Sequence, residues 1–473
     1  MEEGPKWSSA EGTGVLVCRY LVIERDFGAM VDRHKVVIIG GGFGGLDAAR
    51  ALKNAPVDVT LIDRRNYHLF QPLLYQVATG ALSPADIASP LRHILRKQKN
   101  TRVLLAEAVE IDTESRKVRL KDGEAPYDSL VIAAGAQNYY FGHDHWGEYA
   151  PGLKTIEDAT RIRRRILMAF EEAEKETDPD RIRVLLTFVV IGGGPTGVEL
   201  AGTLGEIAFD ALRRDFRRID PAKARIILID SLERILPTYH PTLSARATRA
   251  LEKKFKVTVK TGWMVSEINA DTVTIKRGEE TENIRARSVL WAAGVKASPM
   301  GNLLSRRARI ETDRMGRIKV NSDLSVPGYP EIFVVGDLAY LNDREWTPLP
   351  GTAPVAKQEG QYVARLIRRR LKGKATGPFH FRNFGIMATI GKKYAVADFG
   401  FLKISGYIGW LAWLFVHLMY IVEFENRVLI LVQWAWNYFT GNRSARLITE
   451  ECPPASSEIS ENSGTGVKMD MKR

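Results

Sequence analysis

Two short apolar runs, Val36-Val37-Ile38-Ile39 and Phe188-Val189-Val190-Ile191, contain no polar residue. Runs of that length without alternation predict strands buried on both faces, as in a parallel sheet. Each gives way to a glycine turn: Gly40-Gly41-Gly42-Phe43-Gly44-Gly45 in the first case, Gly192-Gly193-Gly194-Pro195-Thr196-Gly197 in the second. Helical stretches follow, from Leu46 to Lys53 and from Val198. Strand, glycine turn and helix start together form an arrangement that holds dinucleotide phosphates. Gly40 and Gly192 permit the tight turn, and Gly42 and Gly194 let backbone approach a pyrophosphate. Gly45 and Gly197 let the helix pack on its strand. The helix N-terminus adds free N–H groups and a positive dipole end. One such turn is a weak signal; two, 152 residues apart in the same context, predict two nucleotide-binding folds.

Each copy is expected to end its second strand on an acid that grips a ribose. Val57 to Ile62 leads to Asp63, 23 residues after Gly40. Arg225 to Ile229 leads to Asp230, 38 residues after Gly192, and the surplus is assigned to an extended basic helix through Arg213–Arg218. Ser231 follows Asp230 with no adjacent Arg for a 2′-phosphate, which favours NADH over NADPH. The plain alternative is an acid that merely ends a strand. Two further strands end alike, in Ala133-Ala134-Gly135 and Ala292-Ala293-Gly294, where small residues let backbone pass close to a cofactor. Ile332 to Val335 ends in Gly336-Asp337. An Asp there can hold a ribityl hydroxyl, which FAD has and NAD lacks.

The apolar pattern changes near the C-terminus. Trp410 to Val422 are thirteen residues with only His417 polar. As a helix they span about 20 Å, short of a bilayer core. Glu423, Glu425, Asn426 and Arg427 interrupt, and Val428 to Phe439 resumes. Residues 399–439 hold 12 Phe, Trp or Tyr, including four of the nine tryptophans. Tryptophan favours the headgroup boundary, and Arg443 and Arg446 follow, so two amphipathic helices lying on a membrane are expected. A homodimer interface or a buried helix pair remains open, and His417 reads as a helix-contact residue.

Composition narrows the partners. The 473 residues carry a net charge of +12. Residues 212–225 and 302–319 each contribute +4, and residues 363–374 contribute +6 with no acid. Local basic segments suggest membrane headgroups or nucleic acid, against the plain reading of a solvated helix face. Only Cys18 and Cys452 occur, outside every motif, which excludes a disulfide framework, a cysteine-rich metal site and paired redox cysteines. The first 33 residues lack a signal-peptide layout and read as a disordered extension, with Met30 a candidate start. Residues 452–473 read as a flexible tail.

Asn66-Tyr67-His68-Leu69-Phe70-Gln71-Pro72-Leu73-Leu74-Tyr75-Gln76-Val77-Ala78-Thr79-Gly80 resembles type II NADH:quinone oxidoreductases, the single-chain, non-proton-pumping NADH dehydrogenases of respiratory membranes. So do Pro195-Thr196-Gly197-Val198-Glu199-Leu200-Ala201-Gly202 and Asn442-Arg443-Ser444-Ala445-Arg446-Leu447-Ile448. The resemblance covers roughly residues 34–448. It implies an α/β fold of two Rossmann-like dinucleotide-binding domains plus a C-terminal amphipathic helical region that anchors to the membrane. An extension at 1–33 precedes FAD-binding parts at 34–150 and 299–398, which flank an NADH-binding domain at 151–298. Anchoring helices at 399–448 and a tail at 449–473 complete the chain.

The resemblance also implies site residues. FAD is expected against Gly40, Gly42, Phe43, Gly44 and Gly45 of the first turn, and against Asp63, Arg64 and Val109. Ala134, Gly135, Gly336, Asp337 and Ala353 complete that set. NADH is expected against Gly192, Gly194, Pro195, Thr196 and Gly197, with Asp230, Ala293 and Gly294. Family quinone sites often read Ala-Gln-x-Ala-x-Gln, whereas this chain has Ala353-Pro354-Val355-Ala356-Lys357-Gln358. Pro354 removes one polar contact and leaves Gln358, with Pro354, Lys357 and Lys393 the other quinone candidates. Thr352 is the expected N-cap of that helix. Glu199, in the first turn of the second fold's helix, either takes part in substrate binding and proton supply or plays a structural role. Lys392 and Lys393 have the plain reading of surface lysines.

The implied activity is electron transfer from NADH through FAD to a membrane quinone without proton pumping, with Glu199 and Gln358 as catalytic candidates. The expected partners are the quinone, an anionic lipid surface and a second copy of the chain, with no nucleic acid. The expected location is the cytoplasmic face of the cell membrane. Sulfide:quinone oxidoreductases and disulfide reductases on this fold need the redox cysteines this chain lacks. A soluble ferredoxin-type reductase and a non-catalytic nucleotide-binding protein are the rivals.

Overall fold

The uninterrupted apolar runs become the central strands of two parallel sheets. A computed structural model describes residues 33–343, 348–440, 443 and 445–449. Met30, both cysteines, Asn442, Ser444, the expected N-terminal extension before Arg33 and the expected tail beyond Thr449 lie outside the described residues.

The first motif is β1 (His34–Ile39), α1 (Phe43–Ala51) and β2 (Val57–Asp63), followed by a short helix α2 (Leu74–Ala78) and strands β3 (Thr101–Leu105) and β4 (Ser129–Ile132). A long helix α3 (Ile156–Lys175) leads to the second motif: β5 (Thr187–Ile191), α4 (Pro195–Glu206) and β6 (Arg225–Asp230). Helix α5 (Pro241–Phe255) and strands β7 (Val257–Thr261) and β8 (Ser288–Trp291) extend it. The chain then returns through β9 (Ser325–Val326), β10 (Tyr329–Val334) and α6 (Ala353–Arg370). It finishes with β11 (Ile386–Gly391), β12 (Tyr394–Asp398), β13 (Lys403–Gly406) and the helices α7 (Tyr407–Tyr420) and α8 (Phe424–Thr440).

The first sheet has the order β9-β10-β4-β1-β2-β3, parallel except for β9. The second, β7-β6-β5-β8, is wholly parallel. Both are doubly wound sheets whose ligand crevice lies beyond the carboxyl ends of the central strands. The two glycine turns repeat in detail. Gly40 and Gly192 hold φ of +102° and +109°. A Cβ on Gly45 would stand 1.8 Å from the Gly40 carbonyl, and one on Gly197 1.8 Å from that of Gly192. Immediately after the two Ala-Ala-Gly strand ends, Ala136–Asn138 pairs antiparallel with Val295–Ala297 and ties the folds together.

One expected element is absent. Instead of a basic helix through Arg213–Arg218, α4 ends in a single π turn at Ile207–Ala211, followed by bends. The Glu174 carboxylate of α3 takes the backbone N–H groups of Arg217, Arg218 and Ile219 at 3.0 to 3.1 Å, so this backbone is satisfied by a side chain rather than by helix.

Candidate functional site

A cleft of about 540 Å³ opens over the carboxyl edge of the first sheet. Gly40, Gly42, Phe43, Gly44, Asp63, Arg64, Ala134, Gly135, Gly336, Asp337 and Ala353 all line it, as does Thr196 from the second fold. Gly45 lies beneath, in the contact of α1 with its strand, and Val109 is outside the cleft, on the strand Ala108–Asp112 and 39% exposed.

The cleft fits FAD on its own features. A Cβ on Gly42 or Gly135 would meet nothing within 4 Å, so bare backbone faces open space where a pyrophosphate needs it. Asp63 is braced by the Gly41 amide at 2.6 Å and the Arg65 amide at 2.7 Å, which points a fixed carboxylate at the cleft. Asp337 pairs with Lys154 at 3.8 Å. Thr352 stands at the N-cap of α6 as expected, but its side chain makes no capping bond; Pro354, in the first turn, brings no N–H of its own.

The second fold repeats this bracing. Asp230 accepts from the Gly193 amide and, at 2.7 Å, from the Leu232 amide. A Cβ on Gly194 would again meet open space. Pro195 is at the N-terminal turn of α4, and Ala293 and Gly294 follow the end of β8, the strand beside β5. Glu199 is buried on α4. Burial pushes its carboxyl well above the ordinary glutamate value, and a hydrogen bond from the Thr389 backbone offsets this only in part.

Lys393 stands apart from the other three quinone candidates, which share the first two turns of α6. Lys357 lines a 290 Å³ pocket with Phe43, Asp47, His68 and the Met419–Val422 turn between α7 and α8. Because Phe43 also lines the large cleft, that pocket adjoins it. Lys393 is elsewhere, its Nζ 4.4 Å from the centre of the Tyr438 ring, beside a separate aromatic pocket under α7 and α8. Gln358 is not free, contrary to expectation. Its amide nitrogen donates to the Arg382 carbonyl and its oxygen accepts from the Arg382 amide, both at 3.0 Å. Both ends of that side chain are engaged in fastening α6 to the following loop.

The basic stretch at 363–374 also reads differently. Arg370 is held by Asp323 and the Pro330 carbonyl, and Arg369 by the Ala375 carbonyl. These arginines lie about 20 Å along α6 from Lys357, at 1.5 Å per residue, whereas Lys357 is the residue that meets Tyr420 of α7. Three cations, Arg50, Lys357 and Arg427, line the 290 Å³ pocket together with residues 419–422.

Buried side chains to which the sequence assigned no cofactor or substrate role also stand near these pockets. His68 is buried, with Nδ1 2.9 Å from the Gly41 carbonyl. That carbonyl only accepts, so the proton sits on Nδ1 and Nε2 is left as an unpartnered acceptor. Burial lowers its pKa to about 4, keeping it neutral. His417 stacks on Trp413 at 4.3 Å and bonds the Trp413 carbonyl at 2.8 Å, a helix contact as expected. Glu359, buried on α6, accepts from the Gly336 amide. An acid inside the apolar face of a helix is visible in sequence only once the helix face is known.

The comparisons with known proteins agree with this geometry. The pyridine nucleotide-disulphide oxidoreductase family matches residues 34–360, and the NDH2 C-terminal domain matches residues 384–443. The chain is 45% identical over 427 residues to the type II NADH:quinone oxidoreductase Ndh of Mycobacterium tuberculosis, covering 89% of this chain and 91% of the relative. It is 46% identical over 433 residues to the type II NADH:quinone oxidoreductase NdhA of the same organism, with the same coverage. The structure of NDH2 from Plasmodium falciparum in complex with NADH shares the fold, with a TM-score of 0.80 at 21% identity, covering 86% of this chain and 99% of that one. On this sequence identity and coverage, the chain belongs to the type II NADH:quinone oxidoreductases.

Proposed function

We propose that this chain oxidises NADH and reduces a membrane quinone through FAD held in the 540 Å³ cleft, without pumping protons. The observation that carries this is the cleft itself, in a chain of this family: bare glycine backbone at one end, Asp63 and Asp337 along it, and the start of α4 facing it through Thr196. FAD, when bound, supplies the redox chemistry, a carrier that a two-electron donor reduces and a quinone reoxidises. The protein binds, orients and sets charge. Gly42 and the start of α1 receive the pyrophosphate, Asp63 a ribose and Asp337 the ribityl chain. In the second fold Gly194 and Asp230 do the same for NADH, and Asp230 without a neighbouring arginine disfavours a 2′-phosphate.

Burial raises the Glu199 carboxyl well above the ordinary glutamate value, outweighing its hydrogen bond from the Thr389 backbone. That suits it to deliver a proton on the quinone-reducing side rather than to carry a charge. Quinone reaches the cleft through the pocket that Phe43 shares with it, passing Lys357 and the turn between α7 and α8. Pro354 adjoins Ala353 of the cleft wall, and Lys393 stands beside Tyr438 of the separate aromatic pocket.

The two terminal helices rest on the membrane. Ile408, Leu411, Phe415 and Met419 form one exposed apolar stripe on α7, from 43% to 67% exposed. Val428, Val432, Trp436 and Phe439 form another on α8. Among the described residues no helix is long and apolar enough to cross a membrane, which fits a peripheral attachment. Arg50 and Arg427, which line the 290 Å³ pocket, would meet anionic headgroups on the cytoplasmic side. A homodimer is compatible with the same helices. The first sheet draws strands from both 34–132 and 325–334, which supports a split FAD-binding domain around the NADH-binding one.

The test is steady-state NADH consumption by the purified flavin-containing protein with a short-chain quinone. Consumption that requires quinone and saturates with it is expected; an equal rate without quinone would contradict the assignment.

A further inference from the structure

Glu359 is out of place by every rule of helix burial. It lies on the inner face of α6, between Val355 and Val363 at intervals of four residues, and is only 1% exposed. An unpaired buried carboxylate is costly, and no cation pairs with it among the described residues. Its Oε2 accepts from the backbone amide of Gly336 at 2.5 Å. Gly336 opens the turn Gly336–Leu338 with φ of +72°, and that turn carries Asp337.

The surroundings are tightly built. A Cβ on Gly360, the next residue, would stand 2.1 Å from the Gly44 carbonyl, so α6 lies directly on the start of α1. A Cβ on Gly44 would in turn approach the Val335 side chain at 2.9 Å. The phosphate-facing end of α1, the end of β10 and the middle of α6 therefore meet at one point. Glu359 is the polar side chain of α6 that reaches the Gly336 amide there. Within the turn the Gly336 carbonyl also accepts from the Ala339 amide, and Asp337 is approached by Lys154 at 3.8 Å and by the backbone of Gly351.

We propose that Glu359 is a positioning residue for FAD: by holding the Gly336 amide it fixes the turn that presents Asp337 to the cofactor. The inference rests on the reading that FAD occupies this cleft. Burial, with the charge of Asp337 adding to it, pushes the Glu359 carboxyl up to about 8, consistent with a group kept for its acceptor rather than for its charge.

The test measures FAD affinity by reconstituting deflavinated full-length protein and following flavin fluorescence. The variants are Glu359→Leu, Glu359→Gln, Asp337→Ala and the double Glu359→Leu/Asp337→Ala. Removing the acceptor in Glu359→Leu is expected to weaken FAD binding about tenfold. Glu359→Gln keeps a carbonyl acceptor and is expected to bind like the parent. If Glu359 acts through Asp337, the double variant binds no more weakly than Asp337→Ala alone. Additive losses in the double variant, or full affinity in Glu359→Leu, overturn the proposal. Full affinity in Asp337→Ala overturns the placement of FAD as well, which separates the two failures. Should the leucine variant not fold, Glu359→Asp keeps the carboxyl but withdraws it by one methylene. It is expected to bind FAD more weakly, and parent-like affinity there overturns the proposal equally.

Discussion

Arg443 and Glu206 meet as a nearly buried ion pair that fastens the segment after α8 to the end of α4, with side chains 9% and 13% exposed. The same guanidinium donates to the Thr79 carbonyl at 3.1 Å and its hydroxyl at 3.2 Å, just beyond α2. Glu206 also accepts from the Lys392 amide that follows β11. Arg443→Ala leaves Glu206 without its counter-charge and should cost about 3 kcal/mol of stability, with Arg443→Lys losing less. Urea denaturation measures this; an unchanged midpoint in the alanine variant would show the pair to be dispensable.

Gly42 and Gly360 predict opposite outcomes for similar substitutions. The Cβ of Gly42→Val points into open space, so the protein should fold with an unchanged melting temperature while FAD is displaced from backbone contact. Gly360→Ala pushes a methyl to 2.1 Å from the Gly44 carbonyl and should lower the melting temperature directly. Melting curves of deflavinated protein, together with flavin content after purification, separate the two. Retention of stoichiometric FAD by Gly42→Val would place the pyrophosphate elsewhere.

Glu199 contributes to the pH dependence of stability, as Glu359 does. Its folded pKa lies well above the ordinary glutamate value, so the native state keeps a proton that the unfolded state has lost. The resulting stability is full at low pH and declines as pH rises through the ordinary glutamate range towards the folded value. Glu199→Gln imitates the protonated form and should remove Glu199's share of that decline, leaving the share of Glu359, with the fold intact at neutral pH. If the residue supplies a proton to quinone, turnover should fall on the order of 10²-fold, with a flattened pH profile. Unimpaired turnover at every pH would return Glu199 to a purely structural role.

The exposed stripes of α7 and α8 should govern membrane attachment. Each large apolar side chain moved into lipid contributes about 1.5–3 kcal/mol. Phe415→Ser and Trp436→Ser should therefore each weaken sedimentation with lipid vesicles roughly tenfold or more, and the pair should release the protein. Reduction of a water-soluble quinone should be unaffected. Undiminished vesicle binding by the double variant would place the attachment on another surface.

The repeated strand-turn-helix pattern made most of this architecture legible before any coordinates, because buried parallel strands and phosphate-facing glycines leave little sequence freedom. Asp63 and Asp230 were legible as the acids that end the second strand of each repeat, and Asp337 as the acid in the Gly-Asp pair that follows a buried apolar run. What escaped was tertiary. Nothing near Gln358 in sequence announces that the Arg382 backbone, 24 residues on, occupies both ends of its amide. The missing helix after Ala211 depends on Glu174 of α3 claiming three backbone amides. By charge alone the arginines ending α6 suggest an anionic partner, membrane headgroups or nucleic acid, whereas Asp323 and the Pro330 and Ala375 carbonyls engage two of them. Val109 was carried by resemblance and has no part in the cleft wall.

The central claim, that this chain passes electrons from NADH through its own flavin to quinone, is tested most directly by the colour of the bound flavin without oxygen. One equivalent of NADH should bleach it, and one equivalent of a short-chain quinone should then restore it. A flavin that stays oxidised with NADH, or stays bleached when quinone is added, would contradict the account.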